Sequence, residues 1–185
     1  MGLNSENVRV AVTGAWYTAP LSAAAPTGPA SQLATEYKDL GYVGEDGITE
    51  TRDRSTNQIR AWQNAALVRE PVTESSITYA GTLIETNRDV LEAYYGVAVA
   101  ADGSIKIDPG KTGGRKKAVI DIIDGDQLIR IYVPSGEVTE VGDQVFANGE
   151  PIGYEITMTG YSVTVGGETY SAIKWYSGLA EDAGA

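Results

Sequence analysis

Alternating apolar and polar positions are the clearest structural signal in this chain. In residues 75–85, Ile77, Tyr79, Gly81 and Leu83 fall on one face, and mostly small polar residues fall on the other. This period of two predicts a β-strand with one buried face. Shorter apolar runs predict further extended segments or strands at residues 8–12, 41–43, 58–62, 67–72, 117–123, 128–133, 138–146, 154–159 and 169–175.

Turn signals separate the strands of the second half. Six dipeptides carry this signal: Asp102-Gly103, Gly113-Gly114, Asp124-Gly125, Ser135-Gly136, Asn148-Gly149 and Gly166-Gly167. Turn dipeptides at this spacing predict antiparallel hairpins. The expected fold is therefore mainly β: an antiparallel β-sandwich or partial barrel, with one short flanking helix, in a single domain over residues 1–185.

The one predicted helix lies within residues 86–96. Thr86 followed by Asp89 is a variant of the capping box, and Gly96 stands where a helix commonly ends. A helix of about nine residues is not stable alone, so we expect it to pack on a sheet, either its own subunit's or a neighbour's. Its predicted packing face consists of Leu91, Tyr94 and Tyr95.

Two segments of the first half lack a clear apolar period. Residues 1–34 combine an N-terminal strand with a proline-rich stretch in which Pro20, Pro26 and Pro29 preclude regular structure. This stretch is either a flexible linker or an arm that docks on a neighbour. Residues 44–58 are strongly charged and predict a long solvated loop or hairpin. Its candidate contact residues are Glu45, Asp46, Thr49, Arg52, Asp53 and Arg54.

Composition supports the β class and removes several kinds of chemistry. Val and Ile total 30 against 9 Leu, and 17 Thr add further β-branched side chains. Histidine and cysteine are absent, which excludes a Ser-His-Asp triad, a thiolate nucleophile and a cysteine zinc site. A hydrolase with paired carboxylates stays open, but nothing singles out two of the 25 acidic residues.

The net charge of −11 disfavours binding to nucleic-acid phosphates or to an anionic membrane. We also recognise no secretory signal pattern and no apolar run long enough to cross a bilayer. The sequence therefore predicts a protein that is made in the cytoplasm, stays there or in something assembled there, and binds no membrane.

Three short motifs suggest chemistry, and each fails on spacing. Residues 108–112 end in Gly-Lys-Thr, but a phosphate-binding loop needs a glycine at position 105, which is Ile. The carboxylates of Asp121, Asp124 and Asp126 lack the spacing of a calcium loop. The basic residues 115–117 have no interleaved aromatic side chains. We predict no catalytic residue, no metal site and no cofactor.

The first half resembles the major tail tube proteins of long-tailed, siphovirus-type bacteriophages. The resemblance rests on AWQNAALVREPVTESSITYAGTLIETNRDVLEAYYG at residues 61–96, and on GAWYTAP, PTGPAS and YKDLGYVGEDGITET within residues 14–51. The second half matches only in its β-rich character and length.

The resemblance implies a structural virion protein. Such subunits form hexameric rings that share a continuous inner β-barrel and stack into a hollow tail tube, and a long loop reaches the adjacent ring. The implied partners are further copies of the chain, the tape measure protein, the tail tip and terminator proteins, and DNA in transit. The implied location is the virion tail, assembled in the host bacterial cytoplasm.

The lumen residues cannot be derived from the sequence. Asp121 and Glu155 are our candidates, as polar members of alternating strands. Two alternatives stay open. One is another phage ring or decoration protein, such as a tail terminator, neck or capsid decoration protein, and the other is a carbohydrate-binding β-sandwich.

Overall fold

β-Strands are the main regular structure of the computed structural model, which describes residues 3–179. The strands are β1 Thr13–Ala19, β2 Lys38–Asp39, β3 Val43–Thr56, β4 Ile59–Arg60, β5 Leu67–Arg69, β6 Val72–Leu83, β7 Lys116–Asp124, β8 Gln127–Val141, β9 Tyr154–Gly160, β10 Val163–Val165, β11 Glu168–Tyr170 and β12 Ile173–Tyr176. The helix α1 spans Arg88–Tyr95, and short 3-10 turns lie at Ser5–Asn7, Gln63–Ala65 and Ser177–Leu179.

Eight strands form one antiparallel sheet in the order β2-β1-β7-β8-β9-β6-β3, and β12 also pairs with β8. Strand β8 pairs with three strands: its first part pairs with β7 and β12, and its last part pairs with β9. The sheet folds over itself, which brings the Trp16 ring of β1 against Gly81 of β6. The predicted antiparallel sandwich or partial barrel is confirmed, and the sheet does not close into a barrel.

The main core lies between the two halves of the folded sheet. Its buried members come from β1, β6, β7, β8, β9 and α1, and they include Trp16, Tyr79, Ile120, Val133 and Ile156. On the open side, the Lys174 ammonium of β12 lies 2.5 Å from the Glu50 carboxylate of β3. This ion pair links two strands that are not paired with each other.

The predicted turn at Ser135-Gly136 is wrong, because β8 runs through this dipeptide without a break. The ladder between β7 and β8 shifts register beside Pro134, between Lys116 and Ala118, and a bulge of this kind accommodates a proline inside a sheet. A Cβ atom at position 136 would lie 2.6 Å from the Met158 sulfur. Gly136 therefore serves close packing and not a chain reversal.

The helix is confirmed, but its cap and its buried face differ from the prediction. Asn87 is the N-cap, and its side chain accepts a hydrogen bond from Val90 N at 2.9 Å. Gly96 ends the helix in the left-handed region, with φ at 67°. The fully buried helical residues are Val90 and Ala93.

The predicted packing residues flank this buried stripe and are half-buried. Leu91 and Tyr94 pack against the main core. The hydroxyl of Tyr94 donates to Gly142 O at 2.7 Å, and burial raises the pKa of this hydroxyl. The helix thus docks on its own subunit's sheet.

Several predicted strands have other bounds. Residues 8–12 lie outside the strands, and β1 follows them. Residues 58–62 contain only the two-residue β4, and residues 67–72 are divided between β5 and the start of β6. Within the described part of the chain, no helix is long and apolar enough to cross a membrane.

Candidate functional site

A long hairpin made of β3 and β6 is the most prominent surface feature. The two strands pair from Val43 with Leu83 to Thr56 with Val72. Residues 51–60 and 72–76 are all exposed. The segment predicted as a long charged loop or hairpin, residues 44–58, is therefore mostly one strand of a hairpin.

The end of the hairpin is apolar, a feature that the sequence analysis missed. We call residues 57–71 the hairpin tip. They contain the small β4–β5 hairpin, and four large apolar side chains lie exposed on them, with Trp62 at 96% exposure. These side chains are Ile59, Trp62, Leu67 and Val68. The available signal was the apolar content of residues 58–62 and 67–72, which we interpreted only as strands.

All six predicted contact residues lie on β3 and are exposed. They do not form one patch, however. Glu45 and Asp46 lie in the irregular stretch beside the start of the strand, whereas Arg52, Asp53 and Arg54 lie towards the hairpin tip. The set is therefore spread along the strand and does not make one compact surface.

A polar sheet face lies opposite the core on β3, β6, β9 and the end of β8. The pairing registers place on it Thr49, Thr51, Asp53, Ser76, Thr78, Ala80, Thr82, Glu137, Glu140, Glu155, Thr157 and Thr159. Thr139 joins them, since its hydroxyl lies 2.8 Å from the Thr159 hydroxyl. We call this set the threonine face. It contains four carboxylates and no lysine or arginine.

The two lumen candidates have different environments. Glu155 is exposed on the threonine face. Asp121 is 7% exposed and forms a bidentate ion pair with Arg130, with both N–O distances at 2.7 Å. The structure therefore does not support Asp121 as a lumen residue, because its charge is enclosed and neutralised within the subunit.

The threonine face is bounded by two unpaired strand edges. Within the described residues, β3 pairs only with β6, which leaves its other edge open along the strand. Among the described residues, the end of β8, residues 137–141, pairs only with β9, because the pairing of β8 with β7 ends at Gly136. Open edges present rows of free N–H and C=O groups and readily pair with another chain.

The proline-rich stretch is docked on its own sheet. Ala23, Leu33, Ala34 and Tyr37 pack against the outer side of β1, β7 and β8 in a second apolar cluster. Lys117 Nζ donates to Ala23 O at 2.5 Å. The stretch is therefore not a flexible linker, and its docking on a neighbour stays a prediction.

Arg130 fixes the middle of this segment. Its guanidinium donates to Ser31 O at 2.5 Å and to Gly28 O at 3.4 Å, in addition to its pair with Asp121. The three predicted arm residues differ in exposure: Pro26 is buried, Pro29 is half-buried and Pro20 is exposed.

The short motifs have structural roles in the described residues. Asp108 accepts a hydrogen bond from Gly110 N in a turn, with no helix after it. The Asp124 carboxylate accepts a hydrogen bond from Val10 N, and the Arg115 guanidinium lies 4.1 Å from the centre of the Tyr161 ring. Residues 3–179 contain no cluster of acidic side chains suited to a metal ion.

Comparison with known proteins identifies the relationship. A family model described as phage tail tube protein matches residues 1–183. No curated protein matches the chain in sequence. Among solved structures, a chain of the PVC sheath–tube complex of an extracellular contractile injection system, in its extended state, is similar with a TM-score of 0.50 and 11% identity, over 92% of this chain and 93% of that chain.

Two chains from gene transfer agent particles are more distant. One comes from the virion of a native particle, with a TM-score of 0.39, 11% identity and coverage of 79% of this chain and 92% of that chain. The other comes from the tail of an empty particle with C6 symmetry, with a TM-score of 0.37, 9% identity and coverage of 68% and 82%. The family match spans nearly the whole sequence, and the family is one of structural proteins. This chain belongs to the phage tail tube protein family, and its role is a structural one in the tail tube of the virion.

Proposed function

We propose that this subunit forms hexameric rings, and that these rings stack into a hollow tube through which DNA passes into the host. The observation that supports a ring is the pair of open strand edges on β3 and on the end of β8. These edges bound the four-stranded layer formed by β3, β6, β9 and the end of β8. Pairing the β3 edge of one copy with residues 137–141 of the next removes both edges and continues the sheet from subunit to subunit.

In such a ring the threonine face lines the lumen. A sheet that closes through the β3 and β8 edges has the main core on one side, which leaves the threonine face for the other. Its carboxylates, unopposed by any lysine or arginine on that face, repel DNA phosphates, so that transit meets no adhesive charge. Threonine hydroxyls keep the wall wetted without adding charge.

Disulfide trapping tests the ring. The sequence contains no cysteine, so introduced cysteines are the only ones present. We would combine Glu140→Cys with Thr49→Cys, Thr51→Cys or Asp53→Cys. Within one subunit, β8 and β3 are separated by β9 and β6, or roughly 14 Å, so the pair cannot close internally.

The expected result is a covalent ladder that ends at six subunits on a non-reducing gel. Glu140→Cys alone is the control and should give dimers at most. A ladder that ends at another number would correct the ring size. No ladder from any of the three combinations would refute pairing through these edges.

The lumen assignment has its own test. Glu140→Gln combined with Glu155→Gln should leave tubes intact in electron micrographs and lower phage infectivity. The matched control is Glu168→Gln on β11, an exposed carboxylate outside the threonine face. Unchanged infectivity in the double variant would contradict the electrostatic role of this face.

The remaining partners follow from family membership. We propose the tape measure protein within the tube, and the tail tip and terminator proteins at its ends. We also propose assembly in the host bacterial cytoplasm. The siphovirus-type tail stays a prediction, and the structurally similar chain quoted above comes from a contractile system.

A further inference from the structure

The connection between β8 and β9, residues 142–153, is held near its start and unsupported at its middle. The Tyr95 hydroxyl donates a hydrogen bond to the Gln144 side chain at 3.1 Å. Residues 145–152, by contrast, are all exposed and belong to no strand or helix. Exposed connections of this kind open locally at almost no cost in free energy, so their backbone samples several conformations.

Asn148 and Gly149 form a turn in the middle of this exposed stretch. Gly149 has φ at 86°, and a Cβ atom added to it would meet nothing within 4 Å. Within residues 3–179, no hydrogen bond engages the Asn148 side chain or the Gly149 amide. The peptide bond between the two residues therefore lies in open space, and neither of its flanking groups is held by the fold.

An asparagine followed by glycine carries both groups of an intramolecular acyl transfer. The main-chain nitrogen of Gly149 attacks the side-chain amide carbon of Asn148, and the new C–N bond closes a cyclic succinimide. The proton lost by this nitrogen passes through solvent to the side-chain nitrogen, whose bond to carbon breaks and which leaves as ammonia. Water then opens the ring at either carbonyl and gives aspartate or isoaspartate. The attack is unimolecular, and glycine has no Cβ atom to crowd it.

The other asparagines lack one of these conditions. The chain contains six asparagines, and only Asn148 precedes a glycine. Asn64 is also exposed, but Ala65 follows it and carries a Cβ atom. The Asn87 side chain is engaged as the helix N-cap, where it accepts a hydrogen bond from Val90 N at 2.9 Å. Asparagine is among the chemically labile residues of proteins, and these comparisons single out position 148.

We propose that Asn148 deamidates spontaneously in the folded subunit, through a succinimide closed by the Gly149 nitrogen. Each conversion adds one negative charge. The net charge of residues 142–153, set by Asp143 and Glu150, changes from −2 to −3, and that of the chain changes from −11 to −12. Isoaspartate also routes the main chain through the former side chain. The reaction needs only water, so it is independent of the proposed ring, and subunits become more acidic with age at one end of the sheet.

Peptide mass spectrometry of dilute, purified subunit tests the site after incubation at mildly alkaline pH. The peptide that contains residue 148 should gain the mass of an exchange of NH2 for OH, with isoaspartate among the products. Native isoelectric focusing should show a new species with one additional negative charge. The peptide that contains Asn64 is the internal control and should stay unchanged over the same period. No conversion at Asn148, or equal conversion at both positions, would overturn the proposal.

Two variants and one comparison test the reasons for the assignment. Gly149→Ala should lose most of the conversion at Asn148. Ala65→Gly should start conversion at Asn64, and it suits the backbone there, because Ala65 has φ at 51°. Conversion that stays unchanged in both variants would refute the role of glycine. The folded subunit should convert Asn148 within about tenfold of the rate in urea-denatured protein, because the connection opens at little cost. A much slower rate in the folded subunit would show that the fold protects Asn148 and would also overturn the proposal.

Discussion

Replacing Arg130 with methionine should destabilise the subunit and release the proline-rich stretch. Arg130 and Asp121 have side chains that are 7% and 10% exposed, so their ion pair is almost entirely removed from water. The same guanidinium donates to carbonyl groups of Gly28 and Ser31. The substitution therefore leaves one buried carboxylate without its cation and takes the guanidinium donor from Ser31 O, whereas Gly28 O still accepts from the Ser31 hydroxyl at 3.0 Å.

The expected loss of unfolding free energy follows from the buried Asp121 charge that Arg130→Met leaves without a partner. Breaking a buried pair by removing one partner costs about 3–5 kcal/mol, whereas replacing both partners with apolar residues is often nearly neutral. We therefore expect Arg130→Met to lose about 3–5 kcal/mol of unfolding free energy. The double variant with Asp121→Leu should recover most of this loss. Part of the cost should remain, because Ser31 O still lacks the guanidinium donor.

The assay is chemical denaturation of dilute, unassembled subunit, combined with limited proteolysis of residues 20–37. Arg130→Met should make that stretch cleavable before the rest of the chain unfolds. Arg54→Met is the matched control, since Arg54 is exposed and its replacement should change stability by less than about 0.5 kcal/mol. If Arg130→Met unfolds like Arg54→Met, the pair does not hold the stretch in place and the reasoning fails.

Three further predictions concern the helix and the aromatic core. Gly96→Ala should cost about 2 kcal/mol or more of unfolding free energy, because φ is positive and the new Cβ would lie 2.7 Å from Gly113 N. Gly103→Ala is the control and should cost only about 1 kcal/mol, because Gly103 also has a positive φ but its new Cβ would lie in open space. Thermal unfolding of both variants separates the cost of the steric clash from the cost of the positive φ. Leu91→Ala should cost about 1–2.5 kcal/mol, half the loss of a fully buried leucine, and no loss of subunit stability would show that Leu91 does not pack on its own core. Burial raises the pKa of Tyr37 to about 12, so the contribution of this hydroxyl to stability is complete below pH 10 and is lost as the pH rises through 12. Tyr37→Phe should therefore flatten the decline of the melting temperature at alkaline pH. An unchanged slope of melting temperature against pH would contradict this prediction.

Prediction from sequence worked best where an element has one buried and one polar face. The strand at residues 75–85 was visible because Tyr79 and Leu83 enter the core while Thr78 and Thr82 belong to the threonine face. The helix was found to within a residue from its apolar stripe and Gly96. Both signals are local, and neither depends on what the element packs against.

Strand β1 was missed because both of its faces are covered. Trp16 and Thr18 face the main core, and Tyr17 and Ala19 lie beneath the proline-rich stretch. A strand that is covered by the core on one face and by a loop on the other shows no alternation of buried and exposed positions in its sequence. The burial of Asp121 was not visible for the same reason, since its alternating position suggested an exposed face, and Arg130 and the proline-rich stretch enclose that face.

The distribution of charge bears on the polarity of the proposed tube. Four of the 14 basic residues, Arg52, Arg54, Arg60 and Arg69, lie on the outer half of the β3–β6 hairpin. The opposite end carries the connection between β8 and β9, residues 142–153, which contains Asp143 and Glu150 and no basic residue. Two rings that approach with these acidic ends together repel, whereas a head-to-tail approach places the basic half of the hairpin towards the acidic end. Charge therefore favours the head-to-tail order, and discrimination against the wrong orientation comes from repulsion as much as from attraction. Because every ring in such a stack has the same direction, the tube has two different ends, as it must if a tip protein and a terminator protein are each to bind only one of them.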